Sequence, residues 1–235
     1  MIVALSHLVC DNFEKATGIK SYPLKDYNHL QKPIASHADM LLCVIDKTVF
    51  CYGDYYDDNK CTFDAIESEG YEIVKVQHAC SKEYPNDIGL NALTVGKTIF
   101  CKEKNTAKEI LTFAKGNGYK VVNVNQGYSC CSTYILNENV AITSDAGMKK
   151  ALEKEGIEVI FINADKIQLE GYNHGFIGGS GATFEKTAFF FGSIDNLPEY
   201  KSISDAIRDN LMVEKSILSG DVCDFGGIKF FHCEK

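Results

Sequence analysis

The feature that most constrains the fold of this 235-residue chain is an internal repeat of β-hairpin patterns. Residues 47–51 (KTVFC) recur almost unchanged as residues 97–101 (KTIFC), and each segment follows an apolar run and a two-residue polar turn. An apolar run, a tight turn and a β-branched strand together are typical of a β-hairpin. Hairpins are predicted on this basis at 40–51, 88–101, 133–143 and 181–191. Their recurrence indicates a fold built from similar units.

A helix and a strand follow the hairpins in the same phase. Helices that end at a glycine are predicted at 64–70, 109–118 and 149–156, and strands at 71–76, 119–124 and 157–162. Glycine adopts the left-handed conformation at a helix C-terminus without strain. A weaker copy lies at 13–19, and 204–218 carries the last helix and strand without a capping glycine. Because no linker-like segment divides the chain, we expect one domain over residues 1–235.

Composition excludes several classes of function. The net charge of −8 argues against a nucleic-acid partner, since phosphate contacts need clustered Lys and Arg. No segment reaches the ~20 apolar residues that span a bilayer, and the first residues lack the basic start of a signal peptide. We therefore expect a cytoplasmic protein, without a membrane partner, whose ten cysteines are reduced thiols. The cysteine spacing predicts no metal site, because Cys-x-x-Cys pairs are absent.

Three further segments carry structural predictions. Asp145 precedes a helical run and is predicted to be its N-cap. The glycine-rich segment 175–181 lacks the ending of a phosphate-binding loop, so close backbone approach between strands is the better interpretation. The polar stretch 52–58 predicts a solvated loop. Cys130 should face away from its neighbour Cys131 and pack in the core, since successive strand residues alternate.

The repeat, together with 126–132 (QGYSCCS), 142–145 (ITSD) and 171–179 (GYNHGFIGG), resembles the pentein superfamily, most of all an uncharacterised bacterial branch. That superfamily contains the guanidino-group-modifying enzymes (arginine and agmatine deiminases, dimethylarginine hydrolase, amidinotransferases) and a ribosome anti-association initiation factor. The resemblance implies an α/β propeller of about five ββαβ units with pseudo-five-fold symmetry.

In a pentein ring, the loops before the first strand of each unit converge on a central pocket. Polar residues at those positions are therefore the candidates for a binding or catalytic site. The candidates are His37 and Asp39, Asn86 and Asp87, Cys131 and Ser132, Asn173 and His174, and Asp221 and Asp224.

The resemblance also implies roles. Residues 36–39 (SHAD) are similar to the His-x-Asp element of the enzymes, and 127–132 to the glycine-rich approach to their nucleophile. Cys131 would attack the guanidinium carbon and His37 would transfer protons. Asp39, the third catalytic residue, would orient the cationic group together with Asp87. Only a thiolate is nucleophilic, imidazole titrates near neutral pH, and carboxylates pair bidentately with a planar cation. Asp87, Asn86, Ser132, Asn173 and His174 are predicted to bind the substrate.

The order of these residues departs from that of the known enzymes. There the histidine lies mid-chain and the cysteine lies near the C-terminus, whereas here both lie earlier, as though the ring were opened elsewhere. Cys233 near the C-terminus is expected to lie at a frayed end.

Two interpretations stay open. In the first, the protein is a cysteine-dependent hydrolase or amidinotransferase acting on a guanidino or amidine small molecule, and it requires no metal or organic cofactor. In the second, it is a non-catalytic pentein that binds small molecules or a macromolecular partner, because a fold does not dictate chemistry. Cys131 is correspondingly a nucleophile or a small residue packed at the start of a strand.

Overall fold

The computed structural model describes residues 1–233. Its α-helices are α1 (Cys10–Thr17), α2 (Ala38–Leu41), α3 (Gly53–Asp58), α4 (Lys60–Ser68), α5 (Lys108–Gly116), α6 (Ala146–Lys154) and α7 (Tyr200–Asp209). Its strands are β1 (Ile2–Ser6), β2 (Ser21–Leu24), β3 (Cys43–Ile45), β4 (Thr48–Tyr52), β5 (Glu72–Val76), β6 (Leu93–Val95), β7 (Thr98–Cys101), β8 (Lys120–Asn123), β9 (Thr133–Asn137), β10 (Val140–Thr143), β11 (Glu158–Phe161), β12 (Gly181–Phe184), β13 (Thr187–Phe190), β14 (Val213–Ser216) and β15 (Ile228–Phe231). Single 3-10 turns lie at Lys32–Ile34, Glu103–Asn105, Ala164–Lys166 and Gly178–Ser180.

Four units follow the predicted order of strand, strand, helix and strand. In the first of them β3 and β4 form an antiparallel hairpin, and α3 and α4 lead to β5, which lies parallel to β4. The same antiparallel and parallel pairs recur in β6–β8, β9–β11 and β12–β14. Each unit forms its own three-stranded sheet, so the repeat predicted from the hairpins is confirmed.

The two ends of the chain form the fifth unit together. β15 pairs antiparallel with β1, and β1 pairs parallel with β2 across α1. The amino group of Met1 donates to one carboxylate oxygen of Glu69 at 3.1 Å, and the backbone N–H of Cys233 donates to the other at 3.0 Å. The pairing of β15 with β1 therefore joins the two ends of the chain. Because the strands of the fifth unit come from both ends, no continuous stretch of sequence predicts this unit.

The hydrophobic core lies between the middle strands and the helices. Every residue of β1, β4 and β10 is buried, whereas the third strand of each unit is partly exposed. Each long helix inserts at least one side chain with no exposed surface: Phe13, Phe63, Ile110, Leu152 and Ile203. Burying such a side chain contributes about 1.5–3 kcal/mol, which fixes each helix on its own sheet.

The local predictions of helix ends were confirmed, and the prediction for residues 52–58 was not. The helix-ending glycines Gly18, Gly70, Gly118 and Gly156 all have positive φ, and in the fourth unit Leu211 takes that conformation with φ 56°. The prediction of a loop at 52–58 was wrong, because these residues include α3. Tyr55 in α3 is 1% exposed and donates its hydroxyl proton to the Lys25 carbonyl at 2.9 Å. Burial of this aromatic side chain therefore stabilises a helix in a segment whose composition is mostly polar. Within residues 1–233, none of the helices has the length and apolar character needed to cross a bilayer.

Candidate active site

A cavity of about 310 Å³, here called the thiol cavity, lies where the loops before several first strands meet. His37 begins α2 ahead of β3, Cys131 lies ahead of β9, and Asp224 lies ahead of β15. Three units thus contribute chemically active side chains to one space. Its lining comprises Ile34, His37, Met40, Tyr128, Cys131, Leu169, Tyr172, Asn173, His174, Phe176 and Asp224.

The side chain of Asn91 holds the Cys131 thiol in this cavity. Asn91 Nδ2 lies 2.9 Å from Cys131 Sγ and donates to the Asp39 carbonyl at 2.9 Å. Its Oδ1 accepts a hydrogen bond from the backbone N–H of Cys130 at 2.8 Å. One amide therefore connects the loops before three different strands. Sequence reasoning missed Asn91, because its only local signal is a position just ahead of β6.

The thiol of Cys131 holds its proton in the resting protein. Burial raises the pKa of Cys131 well above its ordinary value, and the negative charges of Asp39 and Asp224 raise this pKa further. The sulfur also lies 3.7 Å from Met40 Sδ, in an apolar wall of the cavity. A thiolate here consequently needs a positive charge close to the sulfur.

His37 and Asp224 form a buried pair beside the thiol. His37 Nδ1 lies 3.6 Å from Asp224 Oδ1, and the two side chains are 3% and 2% exposed. Burial lowers the pKa of His37, an effect that Asp39 opposes, so its imidazole is neutral at pH 7. Burial raises the pKa of Asp224 to about 6, although backbone N–H groups of Phe176 and Gly226 donate to its oxygens at 2.8 and 3.0 Å.

Two glycines make room for this pair. A Cβ at Gly226 would overlap the Cα and Cβ of His37, and the φ of +81° there disfavours any other residue. A Cβ at Gly179 would overlap the Asp224 carboxylate. A Cβ at Gly178 would meet backbone carbonyls of the loop before β9. The prediction of close backbone approach at 175–181 is confirmed, since a Cβ at Gly178 or Gly181 would overlap backbone carbonyl oxygens of neighbouring segments.

Aromatic rings form the opposite wall. The ring centroids of Tyr128 and Phe176 are 5.9 Å apart, and Tyr172 lies at the mouth with 43% of its surface exposed. The Tyr128 hydroxyl donates to Asp87 Oδ2 at 2.6 Å, so Asp87 orients the ring from behind instead of lining the cavity. Burial raises the pKa of Asp87, and the hydrogen bond from Tyr128 lowers it. Aromatic faces of this kind attract planar cations.

The structure separates the remaining candidates. Asn173 and His174 lie at the exposed mouth of the thiol cavity. Asn86 is exposed and outside the lining, and Ser132 is buried with its hydroxyl donating to the Ser129 carbonyl at 3.4 Å. Asp39 is buried beneath the cavity, where contact with the Cys131 thiol lowers the pKa of Asp39 and burial raises it more strongly.

Asp39 also lines a second space, here called the axial cavity, of about 400 Å³. Its walls include residues of β6, β9, β12 and β15, the first strands of four units. Its polar lining includes Asp39, Thr94, Cys130, Thr133 and Lys229. Cys130 therefore faces away from Cys131, but into this cavity rather than into the core. Within residues 1–233, no group of three or more His, Cys, Asp or Glu side chains is arranged to hold a metal ion.

Comparison with known proteins identifies the family. A model of DUF6873, a family of unknown function, matches residues 5–229. The chain belongs to this family. The search of the curated proteins gave no match.

Solved structures identify the fold of this DUF6873 member. A dimethylarginine dimethylaminohydrolase adduct with 4-chloro-2-hydroxymethylpyridine is similar with a TM-score of 0.50 at 9% identity, over 91% of this chain and 90% of that one. A mutant of DDAH from Pseudomonas aeruginosa, complexed with citrulline, has a TM-score of 0.49 at 9% identity (90% and 80% covered). An inosamine-phosphate amidinotransferase from Streptomyces griseus has a TM-score of 0.49 at 11% identity, over 97% of this chain and 77% of that one. At such identities the likeness concerns the fold alone. Together with the five three-stranded sheets, it confirms the pentein fold.

Proposed function

We propose that this protein is a cysteine-dependent enzyme that acts on a guanidino or amidine small molecule, as a hydrolase or an amidinotransferase. The observation that carries the proposal is the presence of Cys131, His37 and Asp224 in one cavity lined by aromatic rings. A nucleophile, a proton carrier and a carboxylate are the groups that displacement at a guanidinium carbon requires. We also propose that residues 1–235 form one domain and that its ligand is a small molecule.

The lining of the thiol cavity favours a cation. It includes the carboxylate of Asp224 and the faces of Tyr128 and Phe176, and none of its described residues is Lys or Arg. A larger groove of about 800 Å³ adjoins the mouth and shares Tyr172 and Asn173 with it. The groove leaves room for the remainder of a substrate whose guanidinium group lies beside Cys131.

The charged substrate itself would activate the thiol. The resting pKa of Cys131 is high because burial and neighbouring carboxylates oppose a second negative charge. A guanidinium group beside the sulfur reverses the sign of that local field, so the thiolate becomes favourable. The neutral imidazole of His37 is then free to accept the thiol proton.

The reaction balances with these groups alone. Cys131 Sγ bonds to the guanidinium carbon, and His37 passes the accepted proton to the nitrogen that leaves as an amine or ammonia. Asp224 orients His37, and Asp39 balances the positive charge of the covalent intermediate. Water then attacks that intermediate in a hydrolase, or a second amine attacks it in an amidinotransferase. His37 takes a proton from the attacking group and returns it to the leaving thiolate, which restores the thiol, and in the hydrolase the second proton of water passes to the solvent.

Alkylation by chloroacetamidine tests the proposal, because this reagent carries an amidinium group beside an electrophilic carbon. Wild type should be labelled faster than free cysteine, in a pH-dependent reaction that mass spectrometry maps to Cys131. Cys131→Ser should abolish the labelling, and His37→Ala should slow it by about 100-fold, the usual contribution of a proton carrier. Cys61→Ser, which removes an exposed thiol, is the matched control and should change nothing. Labelling at the rate of free cysteine, or at another thiol, would overturn the assignment.

One observation favours the second candidate, a non-catalytic protein that binds guanidino compounds. Cys131 Sγ lies 2.9 Å from Asn91 Nδ2 and 3.7 Å from Met40 Sδ, and in residues 1–233 no hydrogen bond joins it to His37. A binding protein would show saturable heat with an alkylguanidine in calorimetry, unreactive Cys131 and no product.

A further inference from the structure

The axial cavity contains a cluster of buried polar atoms without partners. Nine buried side-chain nitrogen or oxygen atoms in residues 1–233 lack a hydrogen bond, and four of them belong to residues lining this cavity. They are both carboxylate oxygens of Asp39 and the hydroxyl oxygens of Thr94 and Thr133. Their concentration in one place distinguishes this cavity from the rest of the fold.

Such a cluster costs stability unless something occupies it. A buried polar group without a partner costs about 1–3 kcal/mol, and native proteins retain few of them. Asp39 is 2% exposed and Thr133 is 3% exposed, so bulk water does not serve these atoms. A ligand that hydrogen-bonds to these oxygen atoms would explain why the protein retains polar residues at these positions.

The cavity also contains separated charges of opposite sign. Lys229 Nζ lies 3.6 Å from Cys130 Sγ, and no ion pair within the described residues joins this ammonium group to Asp39. Burial lowers the pKa of Lys229, but its contact with Cys130 and the more distant charge of Asp39 raise this pKa above its ordinary value, so the ammonium group is protonated. A molecule with both charges would satisfy the two groups together.

We propose that the axial cavity is a binding site for a small α-amino acid, held by its ammonium group at Asp39 and by its carboxylate at Lys229. The hydroxyls of Thr94 and Thr133 complete the hydrogen bonds of the two charged ends. Leu93 and Ile228 offer apolar surface to an uncharged side chain. The volume of about 400 Å³ lies within the range of small-ligand sites.

Ligands with a single charge fit less well. A metal ion or simple amine that neutralises Asp39 would face the ammonium group of Lys229 in the same space. A simple carboxylate would face the uncompensated charge of Asp39. Glu138 also lines the cavity but is exposed to solvent in the β9–β10 turn. Of these ligands, a zwitterion alone pairs both Asp39 and Lys229, and buried charges are stable when they are paired.

Isothermal titration calorimetry on the whole protein with a matched set of probes tests this site. The probes are L-norvaline, butylamine, which lacks its carboxylate, and pentanoate, which lacks its amine. L-Norvaline should bind, and the two truncated probes should bind at least about tenfold more weakly, because each loses one charged hydrogen bond. If butylamine bound as tightly as L-norvaline, the proposal that the site recognises a zwitterion would be wrong. An absence of heat with all three probes would show that the cavity holds only water.

Variants locate the binding within the fold. Lys229→Met should weaken L-norvaline at least about tenfold, and Thr133→Val about threefold, as expected for one charged and one neutral hydrogen bond. Thr133→Val keeps the shape of the side chain and removes an unpartnered hydroxyl, so the ligand-free variant should be as stable as wild type or more so. Lys108→Met, at an exposed helix position, controls for the lost charge, and Tyr172→Ala controls for binding in the thiol cavity. An effect of Tyr172→Ala equal to that of Lys229→Met would place the amino acid in the wrong cavity and refute the proposal.

The proposal stands independently of the proposed enzyme function. L-Norvaline carries no guanidinium group, and its binding is measured without turnover or alkylation of Cys131. Failure of the alkylation experiment would leave this site intact, and failure of the calorimetry would leave the thiol cavity intact.

Discussion

At the scale of single residues, Asn91 shows how one side chain determines the geometry of the candidate site. Its amide satisfies the Cys130 N–H and the Asp39 carbonyl, both inside the protein, while it contacts the Cys131 thiol. Asn91→Ala should lower the free energy of unfolding by about 2–3 kcal/mol, because two backbone groups lose their partner. Urea unfolding measures this. Asn86→Ala, at an exposed position, should change the free energy by less than about 0.5 kcal/mol, and equal effects of both would contradict the assigned role.

Asp224 should make stability depend on pH. Its pKa is about 6 in the folded protein, against an ordinary value of 3.8, so the folded state binds the proton more tightly than the unfolded state. The resulting stabilisation is fully present below about pH 4 and is lost as pH rises through 6. A raised pKa of this size corresponds to on the order of 3 kcal/mol.

Asp224→Asn isolates that contribution, since an amide does not titrate. Burial lowers the pKa of its neighbour His37, so His37 contributes a pH dependence of the opposite sign in both proteins. Between pH 4 and 7 the stability of the variant relative to wild type should rise by on the order of 3 kcal/mol, measured by urea unfolding at several pH values. Parallel pH profiles of the two proteins would show that Asp224 ionises as freely in the folded state as in the unfolded chain.

At the scale of secondary-structure elements, the cap of α6 connects a helix to the site. Asp145 was predicted to be the N-cap and is confirmed, because its Oδ1 accepts from the Met148 N–H at 2.7 Å. Its other oxygen accepts from Gln126 Nε2 at 2.8 Å, and Gln126 Oε1 accepts from the Tyr128 N–H at 3.0 Å. Asp145→Ala should therefore cost about 1 kcal/mol and should also raise hydrogen exchange at Tyr128. A matched Asp165→Ala change should leave exchange at Tyr128 as in wild type, and a change equal to that of Asp145→Ala would contradict this connection.

Elements were predictable wherever their signal is local. Two-residue turns and helix-ending glycines specify the hairpins and caps within a few residues of chain, and the structure has them. Leu211 ends α7 in the same conformation, but a leucine gives no such signal. Asn91 lies 40 residues from Cys131, and Lys229 lies 99 residues from Cys130. These contacts exist only once the units are assembled, so the sequence alone pointed to the loops but not to their bonding.

At the scale of the whole molecule, no described residue lines both cavities, but Asp39 links them electrostatically. Asp39 lies between the Cys131 thiol and the space lined by Lys229, and it affects the pKa of both groups. A cationic group bound at Asp39 would remove part of the negative field that keeps Cys131 protonated. Occupancy of the axial cavity would then favour the thiolate, which joins the two proposals through one carboxylate.

The closed arrangement of units also predicts that the chain can be opened elsewhere. The Met1 amino group and the Cys233 backbone N–H bond to the single carboxylate of Glu69, so a short Gly/Ser linker that replaces residues 234–235 needs little reach between them. A new break between Glu138 and Asn139 should be tolerated, because both residues are exposed in the β9–β10 turn. This permutant places Cys131 near its C-terminus and His37 mid-chain, the order of the pentein enzymes.

The free energy of unfolding of this permutant in urea should lie within about 1–2 kcal/mol of that of wild type, since the change concerns loop closure. The permutant should also keep the alkylation rate of Cys131. A permutant with the same linker, opened between Phe50 and Cys51 inside the buried β4, should fail to fold. If both permutants failed alike, pairing of the chain ends would not be what closes this fold.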